Sequence, residues 1–236
     1  MESLLKGGQA LGLTLSAAQL RLFQSYAEEL AAWNQRLSLT AITSPEDIQV
    51  KHFLDSLTCL QALPPGFVCQ RVLDVGSGGG FPGLPLKIHD PTLQVTLLET
   101  TIKKAEFLRH IVEHLGLMGV EVVAERAETL GQDPAYRETY DLVVARAVAE
   151  MAVLAEYCLP FCRVGGLFVA QKKAGAAAEM KNAQGAVTAL GGRMLPAIPV
   201  LLPGAGPRQL VVVEKVSATP SRYPRRPGMP AKRPLA

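Results

Sequence analysis

Asp74-Val75-Gly76-Ser77-Gly78-Gly79-Gly80 is the segment whose residue types and spacing point most directly to chemistry. Glycine adopts positive φ freely and lets a ligand touch the main chain without an intervening Cβ. The turn follows the apolar run Val72-Leu73-Asp74-Val75 and precedes a helical stretch. It therefore sits where ligands approach the carboxyl ends of a parallel sheet. Two ligand classes use such a turn. A dinucleotide wants G-x-G-x-x-G, with the third glycine five positions after the first; that position is Phe81, so the fingerprint fails. The chain has G-x-G-x-G instead, at Gly76, Gly78 and Gly80. Glu99, closing Leu97-Leu98-Glu99 at the end of the next strand, is placed to accept from two vicinal ribose hydroxyls. A carboxylate there suits either ligand, and the glycine spacing decides between them.

Other residues bear on the same question. His52 and Asp55 are three apart and share a helix face. They are read as hydrogen-bonding the N-terminal helices onto the rest of the chain, or else as part of a ligand surface. Nothing at metal-ligand spacing accompanies them, and no metal site is expected. Lys103, Lys104 and Arg109 begin a helix, where cations oppose the dipole; they either serve a polyanionic partner or form a solvated face. Lys172 and Lys173 end a strand on the ligand edge and are placed to meet phosphate. Cys158 and Cys162, four apart in an apolar helical stretch, read as core thiols. No exposed loop cysteine lies near the glycine turn to act as a nucleophile, and no Asn/Asp-Pro-Pro-Tyr/Phe run of the amino-methylating enzymes is present.

The elements that must position these residues change character along the chain. Up to about residue 69 the pattern is helical. Ser16-Ala-Ala-Gln19 has capping-box spacing, followed by Phe23, Tyr26, Leu30 and Trp33 at helical intervals. Ser44-Pro45-Glu46-Asp47 starts a second helix, with Val50, Phe53, Leu54, Leu57 and Leu60 as its apolar stripe and Pro64-Pro65-Gly66 as its stop. From Arg71 onward, strands and helices alternate. Strands are expected at Val72–Val75, Leu93–Glu99, Val120–Ala124, Asp141–Ala145, Gly166–Ala170 and Gln209–Lys215, and helices at about 82–89, 103–116, 149–162 and 174–190. Alternation of this kind predicts an α/β fold with a mostly parallel sheet flanked by helices. Five prolines from Pro220 onward exclude a regular helix or central strand there.

Composition sets the outer limits. The 236 residues are 48% hydrophobic and 19% charged, an ordinary globular balance. No apolar run approaches the roughly 18 residues of a membrane span, no signal peptide is visible, and a cytoplasmic address with no membrane partner is expected. Four cysteines do not make a disulfide framework. The net charge of +3 resides in the tail: without Arg222, Arg225, Arg226, Lys232 and Arg233 the body holds 19 basic against 21 acidic residues. An RNA partner would need that tail plus a local cationic patch.

The glycine turn with its leading Asp74 looks like motif I of class I methyltransferases, whose loop wraps the methionine part of S-adenosylmethionine. Phe81-Pro82-Gly83-Leu84-Pro85-Leu86-Lys87 narrows this, because it resembles the RsmG (GidB) family. His52-Phe53-Leu54-Asp55-Ser56-Leu57, Lys103-Lys104-Ala105-Glu106-Phe107-Leu108, Arg126-Ala127-Glu128, Ala145-Arg146-Ala147 and Tyr223-Pro224-Arg225-Arg226-Pro227-Gly228 resemble the same family. One departure is Ser38-Leu39-Thr40, where the family often has Asn-Leu-Thr.

The resemblance implies a Rossmann-like, seven-stranded methyltransferase domain over 70–216, an N-terminal helical extension over 1–69 and a basic, Pro-rich tail over 217–236. It implies S-adenosylmethionine as cofactor and, as activity, methylation of N7 of guanine 527 in the 530 loop of bacterial 16S rRNA. Gly76, Gly78, Gly80 and Phe81 would meet the methionine end, Glu99 the ribose, and Ala127 and Glu128 the adenine. Arg146 would be the catalytic residue, facing the methionine carboxylate or the RNA, with a structural ion pair as its plainer role. Lys103, Lys104, Lys172, Lys173, Arg225 and Arg226 would face RNA, and Phe81 or Tyr223 would stack on a base. The partner would be 16S rRNA in a small ribosomal subunit or an assembly intermediate, met by a monomer. A small-molecule methyltransferase is the competing reading; it would have no use for the arginine-rich tail. A nicotinamide oxidoreductase is a further alternative.

Overall fold

The computed structural model describes residues 1–146, 148–202 and 205–235. Its centre is one mixed sheet in which β1 (Arg71–Val75), β2 (Gln94–Leu98), β3 (Val120–Val123), β4 (Tyr140–Arg146) and β5 (Cys162–Lys173) run parallel. β8 (Gly206–Lys215) enters antiparallel against β5, and β6 (Gly192–Met194) and β7 (Ile198–Leu202) share its outer side. The order β3-β2-β1-β4-β5-β8-β6 reverses direction between β1 and β4. That switch point opens a crevice above the carboxyl ends of the strands.

Eight strands are present among the described residues, where seven are expected from the sequence. The difference lies in the edge strand opposite β8. Met194 pairs with Val213 and Ile198 with Leu210, and between them the Leu195 amide still donates to the Val212 carbonyl at 2.9 Å. Pro196 has no amide to continue the ladder, so the edge divides in two.

The helices before the sheet are α1 (Glu2–Ala10), α2 (Ala17–Asn34) and a continuous rod of α3 (Pro45–Ile48), a π-helical stretch (Gln49–Leu54), α4 (Asp55–Leu57) and a 3-10 stretch (Thr58–Ala62). The capping box of α2 is formed, Ser16 Oγ accepting from the Gln19 amide and Gln19 Oε1 from that of Ser16. Ser44 caps α3 through the Asp47 amide. Between the strands lie α5 (Gly83–His89), α6 (Ile102–His114), α7 (Ala127–Leu130), α8 (Met151–Cys158), α9 (Ala177–Asn182) and α10 (Gln184–Ala189), with α11 (Met229–Lys232) in the tail. The expected helices over 149–162 and 174–190 are shorter or divided. Cys158 ends α8 while Cys162 begins β5, so the two thiols do not share a helix, although both are buried and free.

Side chains alternate between the faces of a strand, and that alternation assembles the site. Val72 of β1, Leu142 and Val144 of β4, Leu167 and Val169 of β5, and Leu210 and Val212 of β8 join one core with α2, the rod, α5 and α6. Leu73, Val143, Phe168 and Val211 face the other core, with α7, α8, α10 and Tyr223. In phase with the first set come Asp74, Arg146, Gln171 and Arg208. Four polar residues from four strands thus reach the face that the N-terminal helices cover.

Candidate active site

Gly76, Gly78 and Gly80 have φ of 73°, 57° and 94°. A Cβ on Gly76 would lie 2.8 Å from Val148 Cγ2, and one on Gly80 would collide with the Tyr26 hydroxyl and Leu84. The turn hangs from its neighbours. The Gly76 and Ser77 amides donate to the Leu98 carbonyl at 2.8 and 3.1 Å, and the Gly78 amide to Glu99 Oε2 at 2.9 Å. Glu99 Oε1 accepts from the Thr101 amide at 2.7 Å. Glu99 is therefore a buried strut of the turn as well as an acceptor at the end of β2.

Asp74 lies beneath the turn with no solvent exposure. Its Oδ2 accepts from the Gly83 amide at 2.9 Å, whereas Oδ1 is buried and meets no protein donor. Burial pushes its carboxyl up to about 7, against the hydrogen bond from Gly83 and the charge of Arg146. An orphaned acceptor beside a glycine cradle matches a ligand bearing an ammonium group, which would supply both the donor and the countercharge.

Phe81, Arg146, His52 and Asp55 form one stack. The Phe81 and His52 rings are parallel within 10° at 4.4 Å, Tyr26 lies 5.4 Å from Phe81, and the Arg146 guanidinium carbon is 4.9 Å from the Phe81 centroid. Arg146 donates from Nη1 to the Lys51 carbonyl at 3.0 Å and to Asp55 Oδ2 at 3.3 Å, and from Nη2 to His52 Nδ1 at 3.0 Å. Because Nδ1 accepts, the imidazole proton is on Nε2, which faces Thr40 Oγ1 at 2.8 Å. Burial, then the arginine charge, lowers the His52 pKa to about 3, so the ring is neutral. Arg208 Nε approaches Asp55 Oδ1 to 3.6 Å, a charge contact without a hydrogen bond. Burial outweighs both arginines and raises the Asp55 carboxyl above its ordinary range. The expected tie between the N-terminal helices and the sheet is thus made by His52 and Asp55 on Arg146. Thr40, which receives His52, is held by Asn34: Oδ1 accepts from the Leu39 and Thr40 amides at 2.8 and 2.9 Å.

A cleft of about 600 Å³ opens above the ends of β4, β5 and β8, on the far side of Arg146 from Phe81 and the turn's strand β1. Lys51, Arg146, Lys172, Lys173 and Arg208 give it a cationic lining, with Asp55, Gln171 and Glu179 among them. Arg146 stands at the boundary, with the glycine turn and Glu99 toward β1 and β2 and the cleft toward β5 and β8.

The remaining sequence candidates occupy varied settings. Ala127 and Glu128 are buried at the start of α7, and Glu128 Oε1 accepts from the Gly228 amide of the tail at 2.8 Å. Lys103 is exposed and Lys104 half-buried on α6, while Lys173 and Arg226 are exposed. Lys172 Nζ donates to the Ala149 carbonyl at 2.6 Å and to Glu179 Oε1 at 2.7 Å. Arg225 forks onto Glu156. Phe81 and Tyr223 are 4% and 8% exposed, which leaves neither ring open to stack on a base. Ala147 lies outside the described residues.

Sequence reasoning missed Tyr26, whose hydroxyl donates to the Gly79 carbonyl at 2.5 Å and so ties α2 to the turn. It also missed Gln171 and Arg208. The period-two pattern carried their signal, since each is two residues from an apolar residue of the same face.

The chain is similar to known proteins along its whole length. A family model described as rRNA small subunit methyltransferase G (GidB) matches residues 19–201. A ribosomal RNA small subunit methyltransferase G from Roseiflexus sp. (strain RS-1) is 52% identical over 235 residues, covering 100% of both chains. One from Dehalococcoides mccartyi (strain CBDB1) is 52% identical over 236 residues, again covering 100% of each. Among solved structures, a MtNAS variant in complex with S-adenosylmethionine superposes with a TM-score of 0.56 at 20% identity, covering 84% of this chain and 73% of that one. A putative O-methyltransferase from Klebsiella pneumoniae gives 0.56 at 14% identity, covering 86% and 97%. At such identities the structural likeness speaks for the class I methyltransferase fold alone.

Proposed function

The chain belongs to the rRNA small subunit methyltransferase G family, and from that premise we propose that it methylates N7 of a guanine in 16S rRNA, guanine 527 of the 530 loop, with S-adenosylmethionine as methyl donor. The observation that carries this reading is 52% identity to enzymes of that name along the whole chain. Three features of the site support the cofactor: the positive-φ glycine turn, the unsatisfied Asp74 Oδ1 beneath it, and the Glu99 carboxylate one strand over.

The cofactor supplies an already activated methyl group. Asp74 and the turn would hold its amino-acid end, Glu99 would accept from the sugar, and the start of α7 at Ala127 and Glu128 would line the adenine. The Glu128 carboxylate is partly engaged by the tail, so we assign the adenine edge chiefly to the main chain there. Guanine N7 has an in-plane lone pair and no proton to remove. The protein therefore needs no general base; it must align acceptor and donor in line and exclude water. We assign that alignment to Arg146, fixed over Phe81 by Asp55 and His52 at the border of the two half-sites.

Phosphate contacts fall to Lys103, Lys104, Lys173 and Arg226 on this reading. Lys172 and Arg225, tied to Glu179 and Glu156, hold the cleft rim and the tail in place. Residues 70–216 carry the chemistry, the helical extension over 1–69 adds Lys51, His52 and Asp55 to the cleft, and the described part of the tail, through Glu156–Arg225 and Glu128–Gly228, buttresses α7 and α8. A monomer acting on the small subunit or an assembly intermediate completes the reading. Among the described residues no helix is long and apolar enough to cross a membrane.

Primer-extension mapping of m7G tests the proposal, using unmodified subunits, this protein and labelled cofactor. A single new modification at guanine 527, lost in Arg146→Ala and Gly76→Val, is expected. Methylation elsewhere, or none, overturns it.

A further inference from the structure

Away from the methyl-transfer site, the seam between α2 and α6 brings three potential metal ligands together. His110 and His114 are four residues apart on α6, one turn along the same face, and Glu29 comes from α2. His110 Nε2 lies 2.6 Å from Glu29 Oε2, and His114 Nε2 lies 3.0 Å from Ser25 Oγ of the same helix. The two imidazoles are stacked at 5.7 Å. One ligand atom from each of the three residues lies within 4.8 Å of the other two. A tetrahedral zinc site with bonds of about 2.0–2.1 Å places its ligand atoms about 3.3 Å apart. The widest present separation exceeds that spacing by at most about 1.5 Å, a distance within the reach of histidine and glutamate side chains.

We propose that Glu29, His110 and His114 bind one zinc ion, with water completing the coordination, and that the ion clamps α2 to α6. Two imidazoles and a carboxylate select zinc, nickel or copper over magnesium and calcium, which prefer all-oxygen shells. His114 is exposed and gives the ion a way in. The Glu29–His110 and Ser25–His114 contacts could hold the same helices as separate hydrogen bonds; what points to an ion is that ligand atoms of all three residues converge within 4.8 Å at one place on the seam. The clamp bears on the active site through α2, whose Tyr26 grips the Gly79 carbonyl. Nothing in the local sequence announces this cluster, because Glu29 and His110 are 81 residues apart.

Trp33, the single tryptophan of the chain, lies 4.9 Å from the His110 ring and reports on the site directly. The untagged full-length protein, stripped of metal, is titrated with Zn2+ by calorimetry and with Cu2+ by Trp33 fluorescence. One Zn2+ per chain, an upward shift of the melting temperature with Zn2+ but not Mg2+, and saturable Cu2+ quenching are expected. His114→Gln and Glu29→Gln should each weaken Zn2+ binding by a factor on the order of 10 or more. His114→Cys, which restores a ligand, should keep it. His114 is exposed, so its replacement does not disturb the core. Failure of the wild-type chain to bind one Zn2+, or undiminished binding by His114→Gln, overturns the proposal.

Discussion

Arg225 reaches back 69 residues to Glu156 and closes a fork around its carboxylate, Nε at 2.9 Å from Oε1 and Nη2 at 2.6 Å from Oε2. Glu156 has no solvent exposure, and the Arg225 amide also donates to it at 2.8 Å. The tail is therefore a folded part of the domain. Arg225→Ala would leave a buried charge unpaired and should cost about 3 kcal/mol in urea unfolding. Arg225→Met with Glu156→Leu should recover most of that loss. The same contact bears on truncation at residue 220, which should destabilise the protein outright and so cannot report on RNA binding alone.

The cations of α6, exposed Lys103 and half-buried Lys104, are the cleaner probe of RNA contact. Lys103→Ala with Lys104→Ala should raise KM for the subunit and leave kcat and the melting temperature nearly unchanged. The slope of log affinity against log salt should flatten by about 2. An unchanged salt slope would show that α6 does not meet phosphate.

Asp74 gives the ligand-free protein a pH dependence of defined sign. Burial keeps its carboxyl protonated up to about 7 in the folded state, against 3.8 for an ordinary aspartate. The folded state therefore binds the proton more tightly, and stability falls as pH rises from about 4 through 7. Asp74→Asn should be the more stable protein at pH 8, by a few kcal/mol at about 1.4 kcal/mol per pH unit, and this advantage should vanish by pH 4. The same variant should bind S-adenosylhomocysteine more weakly in calorimetry.

His52 acts in the opposite direction. Its pKa of about 3 lies below the ordinary 6.5, so the unfolded chain takes up the proton first and stability is lost as pH falls from about 6.5 toward 3. His52→Gln, compared with wild type across that range by thermal melts, should show a flatter acid limb. It should also lower kcat more than it raises KM, because Arg146 loses its Nδ1 partner.

The sequence displays what short-range rules control. The glycine turn, Glu99, the capping box at Ser16 and the cap at Ser44 each lie within one element or its boundary, where propensity and spacing decide the outcome. Pairings across the fold are not written locally. Asp55 meets Arg146 and Glu156 meets Arg225 across long stretches of chain that the fold brings together, and no period in either segment names the partner. The π-helical stretch over Gln49–Leu54 is hidden for the same reason, since its apolar residues suit an α-helix equally well. The split edge strand escaped because Pro196 and Pro199 argue against a strand, and only pairing with β8 overrides them.

Those two prolines also protect the molecule from its own kind. A sheet border with unpaired amides and carbonyls is a template on which a neighbouring chain can add a strand, the first step toward aggregation. Here one border is the four-residue β3, and the other is interrupted at Pro196 and lacks an amide at Pro199. Neither offers a foreign chain a long ladder, so the addition of a strand at either border is disfavoured.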